Sequence, residues 1–177
     1  ILDAGPLRDT TYSDRVFDIN SGGILTLNSL TVTGGRAPDL APEFASETHG
    51  GAIFVRGGGT LYTDKVAIVG NETTDNDTTA NAGNGGGIYF ASGAGGIVKS
   101  TVVTANSSSN IAGGIYLEQP STVANVFLQS TIVLNNLDAQ SSDNDVAAVG
   151  GRKFTSLGGN RFGNATAGLV QNARLDD

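Results

Sequence analysis

Short runs of alternating apolar and polar residues recur along the chain, separated by turns rich in glycine and asparagine. Three consecutive runs have the same design, GGAIFVRGGGTLYTDKVAIVGN at 50–71, GGGIYFASGAGGIVKSTVVTAN at 85–106 and AGGIYLEQPSTVANVFLQSTIVLNN at 112–136. Ile53 and Asn71 are 18 positions apart, and so are Ile88 and Asn106. Repetition at a period of about 20 to 50 residues is typical of stacked architectures, so the sequence is interpreted coil by coil.

The units align when each is counted backwards from its closing residue. The closing residues are Gly35, Asn71, Asn106 and Asn136. Positions three, eight and ten residues earlier are mostly aliphatic, whereas the position seven residues earlier is polar. This alternation predicts strands with one face in a core and the other in water. Each coil then contains three short strands, as in AIFV, TLYT and VAIV of the second coil.

The pattern as a whole predicts an all-β fold, a right-handed parallel β-helix of about five coils with three short strands each. A weaker fifth coil can be drawn through DVAAV, KFTS and the SLGGN before Arg161. No window has a sustained 3.6-residue period, so we expect almost no helix. We expect residues 1–177 to form a single β-helix domain. Because the chain has no Met and begins at Ile1, we expect a processed piece or an excerpt of a longer chain.

The four closing residues have a predicted structural role. Asparagine amides stacked one coil apart bond to their neighbours above and below, which predicts a ladder along one corner of the helix. Asparagine and glycine also tolerate the left-handed backbone of a tight corner, and Gly35 suits that role in the first coil.

The amino-acid composition excludes some classes of binding partner. The formal charge of −7 and the pI near 4.5 disfavour nucleic acid, which needs clustered Lys and Arg. No apolar run approaches the roughly 18 residues of a membrane span. The chain has no cysteine, so disulfide and thiol chemistry are excluded.

The repeated motifs resemble those of known surface proteins. GGAI, GGGI and AGGI, each followed by a strand ending in Asn, resemble the GGA[ILV] and FxxN repeats of chlamydial polymorphic outer membrane proteins. The opening RVFDINSGGILTLNSLTVTGG is more similar to bacterial surface proteins of the pectate-lyase-like β-helix superfamily. Ile68, Val103 and Val133 replace the Phe of FxxN, which suits this broader group. The resemblance implies a secreted or cell-surface bacterial protein with a structural, adhesive or assembly role.

The same superfamily includes enzymes that cleave acidic polysaccharides with a Lys or Arg base. Here Lys99 aligns with Asp64 one coil away, a pairing that we interpret as a surface ion pair. The only histidine, His49, has no second His or Cys beside it with which to bind a metal. We therefore expect a non-catalytic module, with a polysaccharide lyase or hydrolase-type fragment that binds acidic glycans as the alternative.

Alternation along the first strand predicts that Phe54, Tyr89 and Tyr116 point outward. Three aromatic side chains one coil apart form an external ladder, on which a sugar ring or a partner side chain can lie. The preferred interpretation is a stack that only stabilises the sheet by cross-strand contact.

Alternation along the third strand predicts a second surface. Its outward residues become more apolar towards the later coils and include Val69, Val102, Ile132 and Leu134. A strip of this kind predicts contact with other protein chains or self-association. The alternative is that the C-terminal AGLVQNARL segment or the loop from Arg36 to His49 folds back over it.

Acidic residues suggest one cofactor. Glu72, Asp75 and Asp77 lie close together in a polar stretch, and Asp143 and Asp145 lie in a later one. Carboxylates at this density are possible calcium ligands. Their spacing matches no EF-hand pattern, so a solvated acidic loop without any cofactor is the preferred interpretation.

Overall fold

The computed structural model describes residues 1–3, 14–37, 47–74, 82–118, 125–139, 144–148, 154–164 and 170–171. The strands in these ranges are two to five residues long. Three parallel sheets extend along the stack, and each takes one strand from every coil. The predicted parallel β-helix is therefore confirmed.

Each strand pairs in parallel with the strand at the same position in the neighbouring coil. The first-strand sheet contains β2 (Phe17–Ile19), β6 (Ile53–Val55), β10 (Ile88–Phe90), β13 (Ile115–Leu117) and β16 (Val146–Ala148). The second-strand sheet contains β3 (Ile24–Asn28), β7 (Thr60–Asp64), β11 (Gly95–Lys99), β14 (Asn125–Gln129), β17 (Phe154–Ser156) and β19 (Val170–Gln171). The third-strand sheet contains β1 (Leu2–Asp3), β4 (Thr31–Thr33), β8 (Ala67–Val69), β12 (Val102–Thr104), β15 (Ile132–Leu134) and β18 (Arg161–Phe162).

A short fourth stack, which the sequence did not lead us to expect, follows the third strand. It begins with β5 (Arg36–Ala37) paired to β9 (Glu72–Thr73). Single bridges continue it from Glu72 to Ser107 and from Ser107 to Leu137. Backbone pairing therefore extends past each asparagine corner before the chain turns into the next coil.

The fifth coil differs in one detail from its predicted form. Its third strand is β18, which pairs with β15 through Ile132 and Arg161. The SLGGN segment expected to supply that strand instead forms the corner, where Gly159 has a φ of 70°. A positive φ at this corner is available to glycine at little cost, which explains why the strand begins only after it.

The core is a column of aliphatic side chains from all three sheets. In β6, β10 and β13 the inward residues are the predicted ones, Ile53, Val55, Ile88, Phe90, Ile115 and Leu117, and all are buried. Leu61 and Val98 from the second-strand sheet and Val103 from the third pack into the same cluster. Because the side chains of a strand alternate between its faces, each three-residue first strand contributes two residues to the core.

The glycine pairs that open each unit are needed for close packing. At Gly86 a Cβ atom would lie 2.2 Å from the carbonyl oxygen of Ser107, which ends the coil that Gly86 opens. The fourth stack thus passes so close to the start of the first strand that no side chain fits between them. This contact explains the GGA, GGG and AGG phrases of the sequence.

The prediction of left-handed backbone at the closing residues was wrong by one position. Positive φ occurs at the residue before each of them, at Gly34, Gly70, Ala105 and Asn135. The corner is therefore turned one residue earlier. This placement leaves each closing residue free to direct its backbone N–H, and its side chain where it has one, along the stack.

Candidate functional site

A ladder of buried asparagine side chains follows the third-strand sheet. Gly35 donates its backbone N–H to Asn71 Oδ1 at 2.9 Å. Asn71 donates its backbone N–H and its side-chain amide to Asn106 Oδ1, at 3.0 and 2.9 Å. Asn106 donates the same two groups to Asn136 Oδ1, at 3.1 and 2.9 Å. These amides pair with one another, so the four closing residues stabilise the scaffold and present no site to a ligand.

The ladder ends on a carboxylate. Asn136 donates its backbone N–H and its side-chain amide to Asp145 Oδ1, and Asn164 donates its backbone N–H to Asp145 Oδ2. Asp145 reaches the ladder from the start of the fifth coil, accepts the bonds that an asparagine oxygen accepts in the earlier coils, and is fully buried. Its assignment to an exposed acidic loop was therefore wrong.

A second buried polar column lines the corner between the second and third strands. Thr63 and Thr101 share a hydrogen bond between their hydroxyl groups at 2.8 Å. The Thr131 hydroxyl donates to the carbonyl oxygen of Val98, and the Thr131 backbone N–H donates to Asn160 Oδ1. Sequence reasoning missed this column because its threonines do not share one repeat position: Thr63 lies eight residues before its closing asparagine, whereas Thr101 and Thr131 lie five residues before theirs.

Phe54, Tyr89 and Tyr116 form the predicted aromatic ladder on the outer face of the first-strand sheet, but the ladder is not exposed. The rings of Tyr89 and Tyr116 stack 5.4 Å apart, and Phe54 meets Tyr89 edge-on at 5.1 Å. Each side chain is at most 5% exposed. An open platform for a sugar or partner is therefore ruled out, because other residues cover the rings, and the rings form the cross-strand stack that was the preferred interpretation.

His49 is one of these covering residues. Its imidazole stacks on the Tyr89 ring at 4.1 Å with nearly parallel planes, and its Nδ1 accepts a hydrogen bond from the backbone N–H of Asn84. Burial and, to a smaller extent, the nearby charge of Arg15 together lower the pKa of His49 to about 4. His49 is therefore a neutral packing residue at physiological pH.

Two arginines cover the other end of the aromatic ladder. The guanidinium carbons of Arg15 and Arg56 lie 5.0 and 4.7 Å from the ring centroid of Phe54. Both arginines donate to Asp18, and Arg56 also donates to the carboxylate of Glu47. Cation–π contact and paired carboxylates together hold this cluster against the ring.

The carboxylates and arginines of this cluster change one another's proton affinity. Hydrogen bonds from Arg56 lower the pKa of Glu47, and they raise the pKa of Arg56 itself. Burial alone would raise the pKa of Asp18, but the hydrogen bonds and charges of Arg56 and Arg15 outweigh it and lower that pKa. All four groups stay ionised near neutral pH, which suits a structural ion-pair network and not proton transfer.

The tyrosines of the ladder are held in their neutral form. Burial, followed by the charge of Glu118, raises the pKa of Tyr116 to about 12. The same causes raise the pKa of Tyr89 still more, with a side-chain hydrogen bond to Glu118 added. Neither phenol is available as a base at neutral pH.

The outer face of the third-strand sheet carries the predicted apolar strip. Val102 and Ile132 are paired in register and are 38% and 37% exposed. Val69 and Leu134 flank them and are half-buried. Arg161 lies in register with Ile132 and borders the strip at the last coil. The strip is thus present and partly open to solvent.

A groove on the second-strand sheet was not predicted. Tyr62, Ile97 and Phe127 stand in register on its outer face and line a groove of about 300 Å³ together with Thr60 and five glycines. These three residues lie nine positions before the closing asparagines, between two inward columns. That outward column of two aromatic side chains and an isoleucine is the signal in the sequence that could have revealed the groove.

The candidate base Lys99 lies on the same face. Its ammonium is 3.8 Å from the Asp64 carboxylate in the neighbouring coil. Lys99 and Asp64 are partly exposed to solvent, so this is the surface ion pair expected from the alignment, worth roughly 1 kcal/mol or less.

The predicted calcium ligands are only partly described. Glu72 pairs with Arg36, whose Nε lies 3.2 Å from Glu72 Oε1. Asp75 and Asp77 lie outside the described residues. Among the residues that the structure describes, no three His, Asp or Glu side chains come together as a metal site. The preference for a solvated acidic loop over a calcium site therefore stays a prediction.

Comparisons of the chain with protein-family models, with curated proteins and with solved structures returned no match. The resemblance to bacterial surface repeats thus stays a prediction, and the fold and its outer faces are the basis for a functional interpretation. In the described part of the chain, no helix is long and apolar enough to cross a membrane.

Proposed function

We propose that this chain is a non-catalytic structural, adhesive or assembly module of a secreted or cell-surface bacterial protein, and that it associates with a second copy of itself. The observation that carries the proposal is the apolar strip on the third-strand sheet, where Val102 and Ile132 are adjacent and more than a third exposed. Exposed aliphatic clusters on soluble proteins usually mark contact sites.

The regular geometry of the strip favours a second copy as its partner. Its residues come from β8, β12 and β15, which are spaced about 4.8 Å apart as in any sheet. An identical sheet has the same spacing, so the rows of two copies interdigitate when the faces pack, as in an isologous dimer. The strip has only four residues, whereas a stable interface has about 20–30 per partner, so we expect weak, concentration-dependent association.

The charged groups support a non-catalytic role. Arg15, Arg56, Asp18 and Glu47 neutralise one another over the Phe54 ring, and His49 is buried in the aromatic stack. These side chains stabilise the outer face of the first-strand sheet, and their protonation states are suited to that role.

Sedimentation analysis over a range of concentrations tests the proposal. Ile132→Lys with Leu134→Glu should abolish any association of the wild type without lowering its stability. Ile24→Lys is the matched control, because Ile24 is an exposed apolar residue of the second-strand sheet. A wild type that stays monomeric at high concentration, together with an Ile132/Leu134 variant of reduced stability, would mean that the strip is covered within the chain and would refute self-association.

The second candidate is a polysaccharide lyase or hydrolase-type fragment that binds acidic glycans. Lys99 beside the groove of Tyr62, Ile97 and Phe127 is the observation that favours it. Incubation with polygalacturonate or alginate tests this alternative by the ultraviolet absorbance of unsaturated products. Activity that disappears in Lys99→Ala would replace the non-catalytic proposal.

A further inference from the structure

The groove on the second-strand sheet has a regular chemical design. Tyr62, Ile97 and Phe127 occupy three successive coils at one position of the strand. Tyr62 is 40% exposed, and Ile97 and Phe127 are half-buried. The three side chains form an apolar surface about two strand spacings long, or roughly 10 Å.

Glycines keep this surface concave. Gly58 and Gly93 form the turns that lead into β7 and β11, with φ near 80° in both. A Cβ atom on Gly93 would meet no atom closer than 3.8 Å, so the space above the turn is open. Gly95 leaves a further gap beside Thr60 of the neighbouring coil. The side chains of Tyr62, Ile97 and Phe127 therefore stand above a floor that is formed by five glycines and Thr60.

A polar column runs parallel to the apolar one. Two residues further along each strand, on the same face, are Asp64, Lys99 and Gln129. Two residues of an extended strand span about 6.6 Å. The column therefore offers a carboxylate, an ammonium and an amide within reach of a ring lying on Tyr62, Ile97 and Phe127. It contains both donors and acceptors, and its formal charge is zero.

We propose that this groove binds a neutral sugar ring. An apolar column beside a polar one fits a ligand with one flat C–H face and an edge of hydroxyl groups. The balanced charges of Asp64 and Lys99 provide donors and acceptors for hydroxyl groups without favouring an ionised ligand. The site lies on a different sheet from the apolar strip, so it does not depend on self-association.

Ligand-observed NMR and calorimetric titration of the whole chain test this proposal. The probes are the neutral trisaccharides cellotriose and maltotriose, with trigalacturonate as an acidic probe of the same length. We expect at least one neutral probe to bind with a dissociation constant on the order of 1 mM. Tyr62→Ala and Phe127→Ala should each weaken that binding about fivefold, the scale of a single aromatic contact.

Ile24→Ala is the control, because Ile24 is 71% exposed on the same sheet but does not line the groove. Tyr62→Ala keeps the test valid even if Phe127→Ala folds poorly, since Tyr62 is the more exposed of the two. The proposal fails if neither neutral probe binds at millimolar concentration, if trigalacturonate binds as tightly as the neutral probes, or if binding is unchanged in a folded Tyr62→Ala variant.

Discussion

Asn136 donates two hydrogen bonds to one oxygen of Asp145, at 2.9 Å from its backbone N–H and 2.7 Å from its side-chain amide. In the preceding coils an asparagine oxygen accepts the same pair of bonds. A carboxylate accepts hydrogen bonds but donates none. Asn71 and Asn106 each donate their side-chain N–H to the next asparagine oxygen, but within the described residues the last member of the ladder has no such oxygen to donate to. Asp145 is therefore suited to the end of the ladder.

Replacing Asp145 should destabilise the last two coils. In Asp145→Leu the donors of Asn136 and Asn164 lose their acceptor, and each buried unpaired donor costs about 1–3 kcal/mol. We expect a loss of about 3 kcal/mol or more in the free energy of unfolding, measured by urea denaturation at constant m-value. Asn164→Ala is the control, since it keeps the backbone N–H that Asp145 accepts. An Asp145→Leu protein as stable as this control would contradict the structural role of the carboxylate.

Position 106 should show the opposite preference. The Asn106 side chain accepts from Asn71 but also donates to Asn136 Oδ1 and to the carbonyl oxygen of Ile68. Asn106→Asp would bring a carboxylate oxygen against these two acceptors, and Asn106→Leu would leave Asn71 without an acceptor. Both variants should lose about 2–4 kcal/mol of stability in the same urea experiment. An Asn106→Asp protein as stable as the wild type would show that the direction of hydrogen bonding along the ladder is unimportant.

His49 should make the protein sensitive to mild acid. Its pKa falls from 6.5 in the unfolded chain to about 4 in the folded one, so the folded state binds fewer protons in this interval. The contribution of neutral His49 to the free energy of unfolding is complete above pH 6.5 and is lost as the pH falls towards 4. The total loss is about 3 kcal/mol. Unfolding midpoints measured between pH 7 and 4 will show this slope.

The control for this pH effect is His49→Phe, which keeps a ring on Tyr89 but cannot titrate. Its midpoint should be nearly constant over the same interval. Asp18 and Glu47 have lowered pKa values, so their contribution is lost only at more acidic pH. A wild type whose stability does not change between pH 7 and 4 would show that His49 is not buried as a neutral side chain.

Calcium should have little effect on the folded protein. Glu72 is already paired with Arg36, which competes with a cation for the same carboxylate. We expect equal melting temperatures in millimolar calcium and in excess chelator. A rise in melting temperature with calcium that disappears in Glu72→Gln would instead establish a site that includes Glu72, Asp75 and Asp77.

The repeat by itself was enough to determine the fold. Equal spacing from Ile53 to Asn71 and from Ile88 to Asn106 predicts strands that stack in register, because a period-2 alternation specifies which side chains enter the core. Inward residues such as Ile88 and Val103 were predicted for the same reason and are fully buried. Which residues face the core can be predicted locally, because it follows from the alternation of apolar and polar residues within each short strand.

Only the tertiary structure determined which residues on the outer faces are exposed and which are covered. Alternation places Phe54 and Tyr89 outside the first-strand sheet, but His49 and Arg56 then cover them, and both belong to segments between strands. The path of such a segment depends on its length and its ion pairs, which no periodic pattern records. Asp145 likewise ends the ladder from a different coil position than the asparagines, because only packing in three dimensions brings it next to Asn136.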